Sequence, residues 1–349
     1  MSNRAVQEQV AGGVTLGGES ASGGGATSGG GGGCIGFSFG RNLTKLNYPV
    51  EAAIGSVLPM CRHFVVAVGA GEDDTRERVA AIDTASMHGG RGGEIEILDT
   101  VWPDVQTDGE VLSIEANKAM TLAEDRAKDF GCPWGFYIQA DEVVHEDDVD
   151  KIAGAMRTFA GNDQVKALVF FYHHFVLDYQ TEDPWMYHKA SRVVRLDGSC
   201  EIVGDACGPA IKGYTGRVNG GNGYLDKHHL GGHARYASRS GTVAQVAWDR
   251  PARIFHYGWV KTKQELEEKF GMVDDLWWGT LSEEERDKRR GNKFGQFIER
   301  YPALRKYRKR HPELMAERVA AHPAFAEVAS RWVQPKFWYE SFAHGLKWF

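Results

Sequence analysis

The run Gln139-Ala140-Asp141-Glu142 follows a short apolar and aromatic stretch, Gly135 to Ile138. Two carboxylates at the end of a buried strand are half desolvated and close together. Like charges so placed repel unless a positive partner joins them. A hard divalent cation is the natural partner: Mg2+ or Mn2+ takes one or two protein carboxylates and fills its shell with water and phosphate oxygens. Asp141, directly off the strand, is therefore a candidate metal ligand, with Glu142 beside it. The acids from Glu146 to Asp150 have a plainer reading. They suit the first turn of a helix, where negative charge meets the positive end of the dipole.

Other strand ends carry similar chemistry. Glu72, Asp73 and Asp74 follow the apolar run His63 to Gly69. A carboxylate there can accept hydrogen bonds from a ribose or a base N–H, or it can cap the helix that follows. Arg41 closes FSFGR, where it can face a phosphate, and Gly40 permits close backbone approach. His256 ends the apolar run of ARIFHYGW. Imidazole is an acceptable Mn2+ ligand, although a His at a strand end is commonly a hydrogen-bonded core residue. The pairs His173–His174 and His228–His229, with His233, suggest a second metal site only weakly, because neighbours on a strand point to opposite faces.

The elements that must position these residues are legible as an alternation. Strands are predicted over 34–39, 63–69, 94–98, 135–139 and 166–172, from short apolar and β-branched runs. Pro49 opens a helix through Leu58, RERVAAID (76–83) reads as another, and 147–159 is helical. Leu112, Ala116, Ala119, Ala123, Ala127 and Phe130 recur at helical spacing, which predicts an amphipathic helix over 111–130. Strands alternating with helices argue an α/β fold with a mainly parallel sheet and helices on both faces. In such sheets ligands bind beyond the carboxyl ends of the strands, which is where Asp141 stands. Residues 213–247, rich in Gly, His and Arg, read as an irregular insertion. Residues 263–349 read as a helical, basic and aromatic extension, with helix 262–278 and a capping box at Ser282 and Glu285.

Bulk composition narrows the classes. The chain has 349 residues, 42% hydrophobic and 25% charged, with a net charge of -6, so a nucleic-acid partner is not expected. The five cysteines are scattered, which suits reduced thiols in a cytoplasmic protein better than a disulfide framework. No apolar run reaches the roughly 18 residues of a membrane span. Residues 1–33 are dominated by glycine and read as a flexible tail.

Taken together, FSFGRN…YPVEAAIGSVLP, VVAVGAGEDDT, EANKAM and FYIQADE resemble the GT-A glycosyltransferases, specifically family 2, over about residues 34–200. HYGWV extends the similarity to about 262. The resemblance implies a GT-A domain over 34–262. It implies an inverting transfer of a sugar from a nucleotide diphospho-sugar, with Mn2+ or Mg2+ as cofactor. UDP is favoured by family habit, and the acceptor would be a saccharide or a lipid-linked one, as in surface polysaccharide biosynthesis. Asp73 or Asp74 would contact the uracil or ribose, and Asn117 and Lys118 the nucleotide or its phosphates. Asp141 matches the second Asp of Asp-x-Asp, and Gln139 replaces the first. Gln can still bond a ribose hydroxyl, but it is a poorer partner for a metal. His256 resembles the late His that completes the metal shell. Asp205, in EIVGDACGPAI, matches the catalytic base, with Glu201 and Asp178 as alternatives; Gly-Asp is also ordinary turn chemistry.

On the acceptor side, Trp185, Tyr187 and Arg192 can stack on a sugar or bind an anion, or they can be strand-edge packing. The basic stretch 286–310 is either a solvated helix face or a peripheral contact with anionic lipid at the inner face of the plasma membrane. Two rival functions remain. A sugar-1-phosphate nucleotidyltransferase needs a glycine-rich loop that FGRNLTKL matches poorly. A catalytically degenerate GT-A domain, acting as a binding or membrane-associated module, is favoured by Gln139.

Overall fold

The structure, a computed structural model, describes residues 33–84, 93–103, 109–163, 165–183, 189–206, 208–212, 235–238, 241–245, 252–278, 282–285 and 304–322. The first half alternates strand and helix: β1 (Cys34–Gly40), α1 (Val50–Val57), β2 (Cys61–Gly69), α2 (Thr75–Ala80), β3 (Glu94–Thr100), α3 (Glu110–Phe130), β4 (Trp134–Tyr137), β5 (Glu142–Val144) and α4 (Val149–Phe159). The second half is richer in strands: β6 (Val165–Val176), β7 (Thr181–Glu182), β8 (Lys189–Arg195), β9 (Cys200–Val203), β10 (Gly208–Ile211), β11 (Arg235–Ser238), β12 (Gly241–Gln245), β13 (Arg253–Trp259), α5 (Lys263–Trp278) and β14 (Arg305–Lys306).

Burial explains why the apolar runs become strands of a parallel sheet. Phe64, Val66 and Val68 of β2 pack into one core layer, and Val65 and Ala67 into the other. A strand buried on both faces must be apolar throughout, which is how β2 reads. The first layer is closed by Val50, Ala53, Ile54 and Val57 of α1 and by Ile152 and Met156 of α4. The second is closed by Ala116, Ala119, Met120, Ala123 and Ala127 of α3. Helices therefore lie on both faces, as expected. Alanine at those α3 positions lets the helix approach the sheet closely. Gly131, at φ 62°, ends α3 in the left-handed conformation that glycine adopts without a Cβ penalty.

The strand order is β11-β12-β6-β8-β4-β1-β2-β3. β3, β2, β1 and β4 run parallel. β8 is antiparallel to both β4 and β6. β6 is 12 residues long, and β12 and β13 pair in parallel along its first and second halves. β5 runs antiparallel to β13 and sets Glu142 opposite His256. This crossing brings the loop after β4 to β13, some 115 residues later in the chain.

Several boundaries differ from the sequence expectation. The strand expected over 135–139 stops at Tyr137. The helix expected from Asp147 begins as a 3-10 turn, Glu146–Asp148, before α4. Within the stretch expected to be irregular, β11 and β12 form an antiparallel pair; residues 213–234 lie outside the described residues. The Ser282–Glu285 capping box is present, with Glu285 N donating to Ser282 Oγ at 3.3 Å. A second box starts α5, where Thr262 N donates to Glu265 Oε2 at 2.7 Å. Cys34, Cys61, Cys132 and Cys200 are free and buried. No described helix is long and apolar enough to cross a membrane.

Part of the C-terminal extension docks on the sheet edge. Tyr307 and Met315 join Phe175, Tyr179, Phe255 and Tyr257 in a separate apolar cluster. His311 is seated there, with Nδ1 at 2.9 Å from the Tyr257 hydroxyl and Nε2 at 2.9 Å from the Tyr179 carbonyl oxygen. Burial pushes its pKa down to about 4, with the neighbouring His173 and His145 adding to the effect. Between that value and the ordinary His value near 6.5, the unfolded chain binds a proton that the folded one does not. Stability should therefore fall as pH drops from about 6.5 to about 4 and level off below. Urea melts across this window should show the loss in wild type and a smaller one in His311→Gln. Identical slopes would remove His311 as the cause.

Candidate functional site

Asp141 and His256 meet at the carboxyl edge of the parallel strands. The Asp141 carbonyl accepts from Tyr257 N at 2.8 Å, which fixes the loop after β4 against β13. His256 Nε2 then lies 3.5 Å from Asp141 Oδ2. His256 Nδ1 faces His174 Nδ1 at 3.2 Å. If Nδ1 carries the proton and donates it to His174, the Nε2 lone pair is directed toward Asp141. Burial lowers the His256 pKa, against the opposing charge of Asp141, and favours neutral imidazole. Gly258 makes the approach possible. A Cβ at that position would collide with Asp141 Oδ2 and lie 3.0 Å from His256 Cε1 and Nε2.

This donor set fits a divalent cation. Two ligands in neighbouring positions of an octahedral shell are about 3 Å apart, close to the separation seen. One carboxylate oxygen plus one neutral imidazole suits Mn2+, and a His held through its other nitrogen has the usual outer-shell support.

Glu142 does not share that site. It is fully buried, and Arg192 grips it from two nitrogens, Nε to Oε2 and Nη2 to Oε1, both at 2.6 Å. Tyr172 OH donates to Oε1 at 2.8 Å. Both carboxylate oxygens are thus committed, because the side chain alternates inward at the start of β5. Arg192 is correspondingly 0% exposed and cannot face an acceptor from this position. In the structure the two form a buried ion pair. Trp185 and Tyr187 lie outside the described residues.

Gln139 is turned toward the β9–β10 turn. Its Nε2 donates to Ala206 O at 2.8 Å and to Tyr137 OH at 3.1 Å, and Tyr137 OH also donates to Ala206 O at 2.8 Å. Ala206 has φ 58°, a conformation costly for a residue with a Cβ. Two donors on its carbonyl hold the turn that carries Asp205 against the end of β4. The Gln139 side-chain amide N–H groups therefore fasten the turn that carries Asp205.

The expected nucleotide-side residues divide. Asn117 is committed to the backbone of β9, donating to Ile202 O at 2.6 Å and accepting from Ile202 N at 2.8 Å. Its amide is thereby engaged with β9 rather than pointing out unbonded. Lys118 pairs with the buried Glu115 at 2.6 Å and reaches Val101 O at 3.5 Å. Asp73 accepts from Lys45 N at 2.9 Å and Thr75 N at 3.1 Å. Burial alone would raise its pKa, but these bonds outweigh it and hold the carboxyl below its ordinary value. Asp74 stands at the N-cap position of α2 without a side-chain capping bond and is exposed. Arg41 is exposed, with its guanidinium 5.9 Å from the Trp102 ring.

Among the described residues one cluster of three possible metal ligands occurs, His145, Glu146 and Asp147. Arg310, at the end of the basic stretch, pairs with both acids. His173 is paired with Glu182 at 2.7 Å on the opposite face from His174.

Two residues that the sequence reading passed over complete the surroundings. Lys261 is 1% exposed and Lys269 6%. Lys269 Nζ donates to Gly258 O at 2.6 Å, while Lys261 Nζ has no hydrogen-bond partner. Their ammonium nitrogens lie 4.5 and 5.2 Å from the centre of the Tyr48 ring. The available signal was a lysine directly after the apolar run RIFHYGWV.

No family model matches the chain, and no curated protein does. Several solved structures match the chain at low similarity. A protein described as a glucose-1-phosphate thymidylyltransferase from Bacillus anthracis, solved with a sucrose, is 11% identical over 40% of this chain and 55% of that one, with a TM-score of 0.26. TarS from S. aureus is 11% identical over 73% of this chain and 41% of that one, with a TM-score of 0.36. HddC from Yersinia pseudotuberculosis is 10% identical over 68% of this chain and 99% of that one, with a TM-score of 0.30. The chain thus spans about half the length of the first two. No activity transfers at these similarities.

Proposed function

We propose that the chain is an inverting glycosyltransferase that moves a sugar from a nucleoside diphosphate sugar to a hydroxyl acceptor, saccharide or lipid-linked. The observation that carries this reading is the approach of His256 Nε2 to Asp141 Oδ2 at 3.5 Å, at the carboxyl edge of a parallel sheet. The turn that carries Asp205 is fastened through Ala206 to Gln139, two residues before Asp141, and in this reading it supplies the second carboxylate. In the reaction proposed, an acceptor oxygen attacks the anomeric carbon while Asp205 takes its proton. The bond from that carbon to the diphosphate oxygen breaks, and its electron pair leaves with the phosphate. A bound Mn2+ or Mg2+ would supply Lewis-acid stabilisation to the diphosphate, held by Asp141 and His256. UDP is the nucleotide we favour, and surface polysaccharide assembly the setting.

A second reading, a domain that binds the nucleotide without turnover, is favoured by the commitment of Gln139 to Ala206. Calorimetric titration with UDP, GDP, CDP and dTDP, each with and without Mn2+, tests both. Metal-dependent binding of one nucleotide, lost in Asp141→Ala, is the expected result. Binding without turnover of the matching sugar nucleotides would favour the second reading. No binding by the folded protein would remove both.

A further inference from the structure

A buried amine without a partner is costly, because its charge is neither hydrated nor paired. Lys261 comes near that case: it is almost fully buried, its Nζ makes no hydrogen bond, and its cation rests on the face of the Tyr48 ring, which it shares with a second buried ammonium, Lys269. Burial brings their pKa values down to about 7 and about 8, while the charge of Asp141 reaches both and opposes that fall. The neighbouring charges do not neutralise the pair. Glu142 is taken by Arg192. Glu265, the other acid whose charge reaches Lys261, is bound by Asn47 Nδ2 at 2.6 Å and by Thr262 N. Asp141 is shared with His256. Two amines therefore face one open carboxylate, and Lys269 is bonded to the carbonyl of the glycine that shapes the Asp141–His256 approach. The missing partner is an anion with several oxygens.

We infer that Lys261, with Lys269, forms an anion-binding subsite that holds a phosphoryl or diphosphate group without needing a divalent cation. It deepens the transferase reading at the leaving-group end, and rests on that reading only for the identity of the natural ligand. A Lys donor to a phosphate oxygen forms a charge-assisted bond, roughly twice as strong as a neutral one. The anion would give Lys261 the partner it lacks and offset the burial of both amines.

Inorganic pyrophosphate in excess EDTA at low salt is the direct probe. Wild type should bind it, and Lys261→Met should weaken binding about tenfold or more. The apolar stem of Met fills the same space, so the variant should stay folded. Lys261→Arg should recover part of the affinity. Equal pyrophosphate affinity in wild type and Lys261→Met would overturn the subsite, as would no binding by folded wild type. Pyrophosphate binding that depends on Lys261, with no nucleoside diphosphate bound, would uphold the subsite and reject the transferase reading.

Discussion

Replacing Arg192 by Met should cost about 3–5 kcal/mol of folding stability, a large share of the roughly 5–15 kcal/mol that holds an ordinary domain together. The side chain is fully buried and doubly bonded to Glu142, its Nη1 donates to Ser191 O at 2.9 Å, and its guanidinium lies 5.1 Å from the centre of the Tyr137 ring. A pair of this kind gains little over apolar residues of the same volume, because desolvation of both charges offsets their attraction. Removing one member is different, since it leaves the other charged and buried. Glu142 would keep only Tyr172 OH and the weak donation of Gln139 N at 3.2 Å. The double variant Arg192→Met with Glu142→Gln removes the orphaned charge and should regain at least half of the loss. Urea denaturation of wild type, single and double variants measures both quantities. A single variant as stable as wild type would show that the pair carries no such penalty. Metal affinity in the double variant should stay near the wild-type level, because neither residue is placed in the metal set.

The comparison of Glu142 with Asp141 shows where sequence reading succeeds and where it stops. Both are acids behind the same apolar run, and the position beyond a parallel strand marks the edge where ligands bind. What separates them is the alternation of side chains once β5 begins, together with a partner 50 residues away. Neither is visible in local spacing. Asn117 shows the same limit. The family resemblance implies a nucleotide contact for it, and in the structure its two bonds close a clamp on Ile202, 85 residues on. The buried strands and α3 were legible because burial on both faces and a helical apolar stripe are themselves local patterns. Gln139 looked like a weakened metal ligand, and its hydrogen bonds to Ala206 and Tyr137 give it a different task. Lys261 was passed over because a lysine after a strand ordinarily points to solvent. Its burial depends on Tyr48 and on the way α5 folds back.

Gly258→Ala should reduce metal-dependent nucleotide binding about 100-fold while leaving the fold in place, since misplacing a reacting group by about 1 Å can have an effect of that size. The added methyl would occupy the space of Asp141 Oδ2 and press on the imidazole of His256. The carboxylate can rotate away, which relieves the clash without moving β13. Its rotation separates the two atoms that approach at 3.5 Å, so the damage falls on the site rather than on the core. Gly154→Ala is the matched control, because a Cβ there meets only Arg157 Nη2 at 3.8 Å. In the middle of α4 that change should be neutral or slightly stabilising, by up to about 1 kcal/mol. Calorimetry with Mn2+ and the bound nucleotide, beside thermal melts of both variants, separates the effects. If Gly258→Ala binds metal and nucleotide as wild type does, the approach of Asp141 to His256 is a packing feature and the metal belongs elsewhere. If binding falls while the melting temperature holds, the glycine is kept for the geometry of the metal pair. Its pyrophosphate affinity in EDTA would then remain largely intact, because Lys269 bonds the carbonyl of residue 258, which the substitution retains.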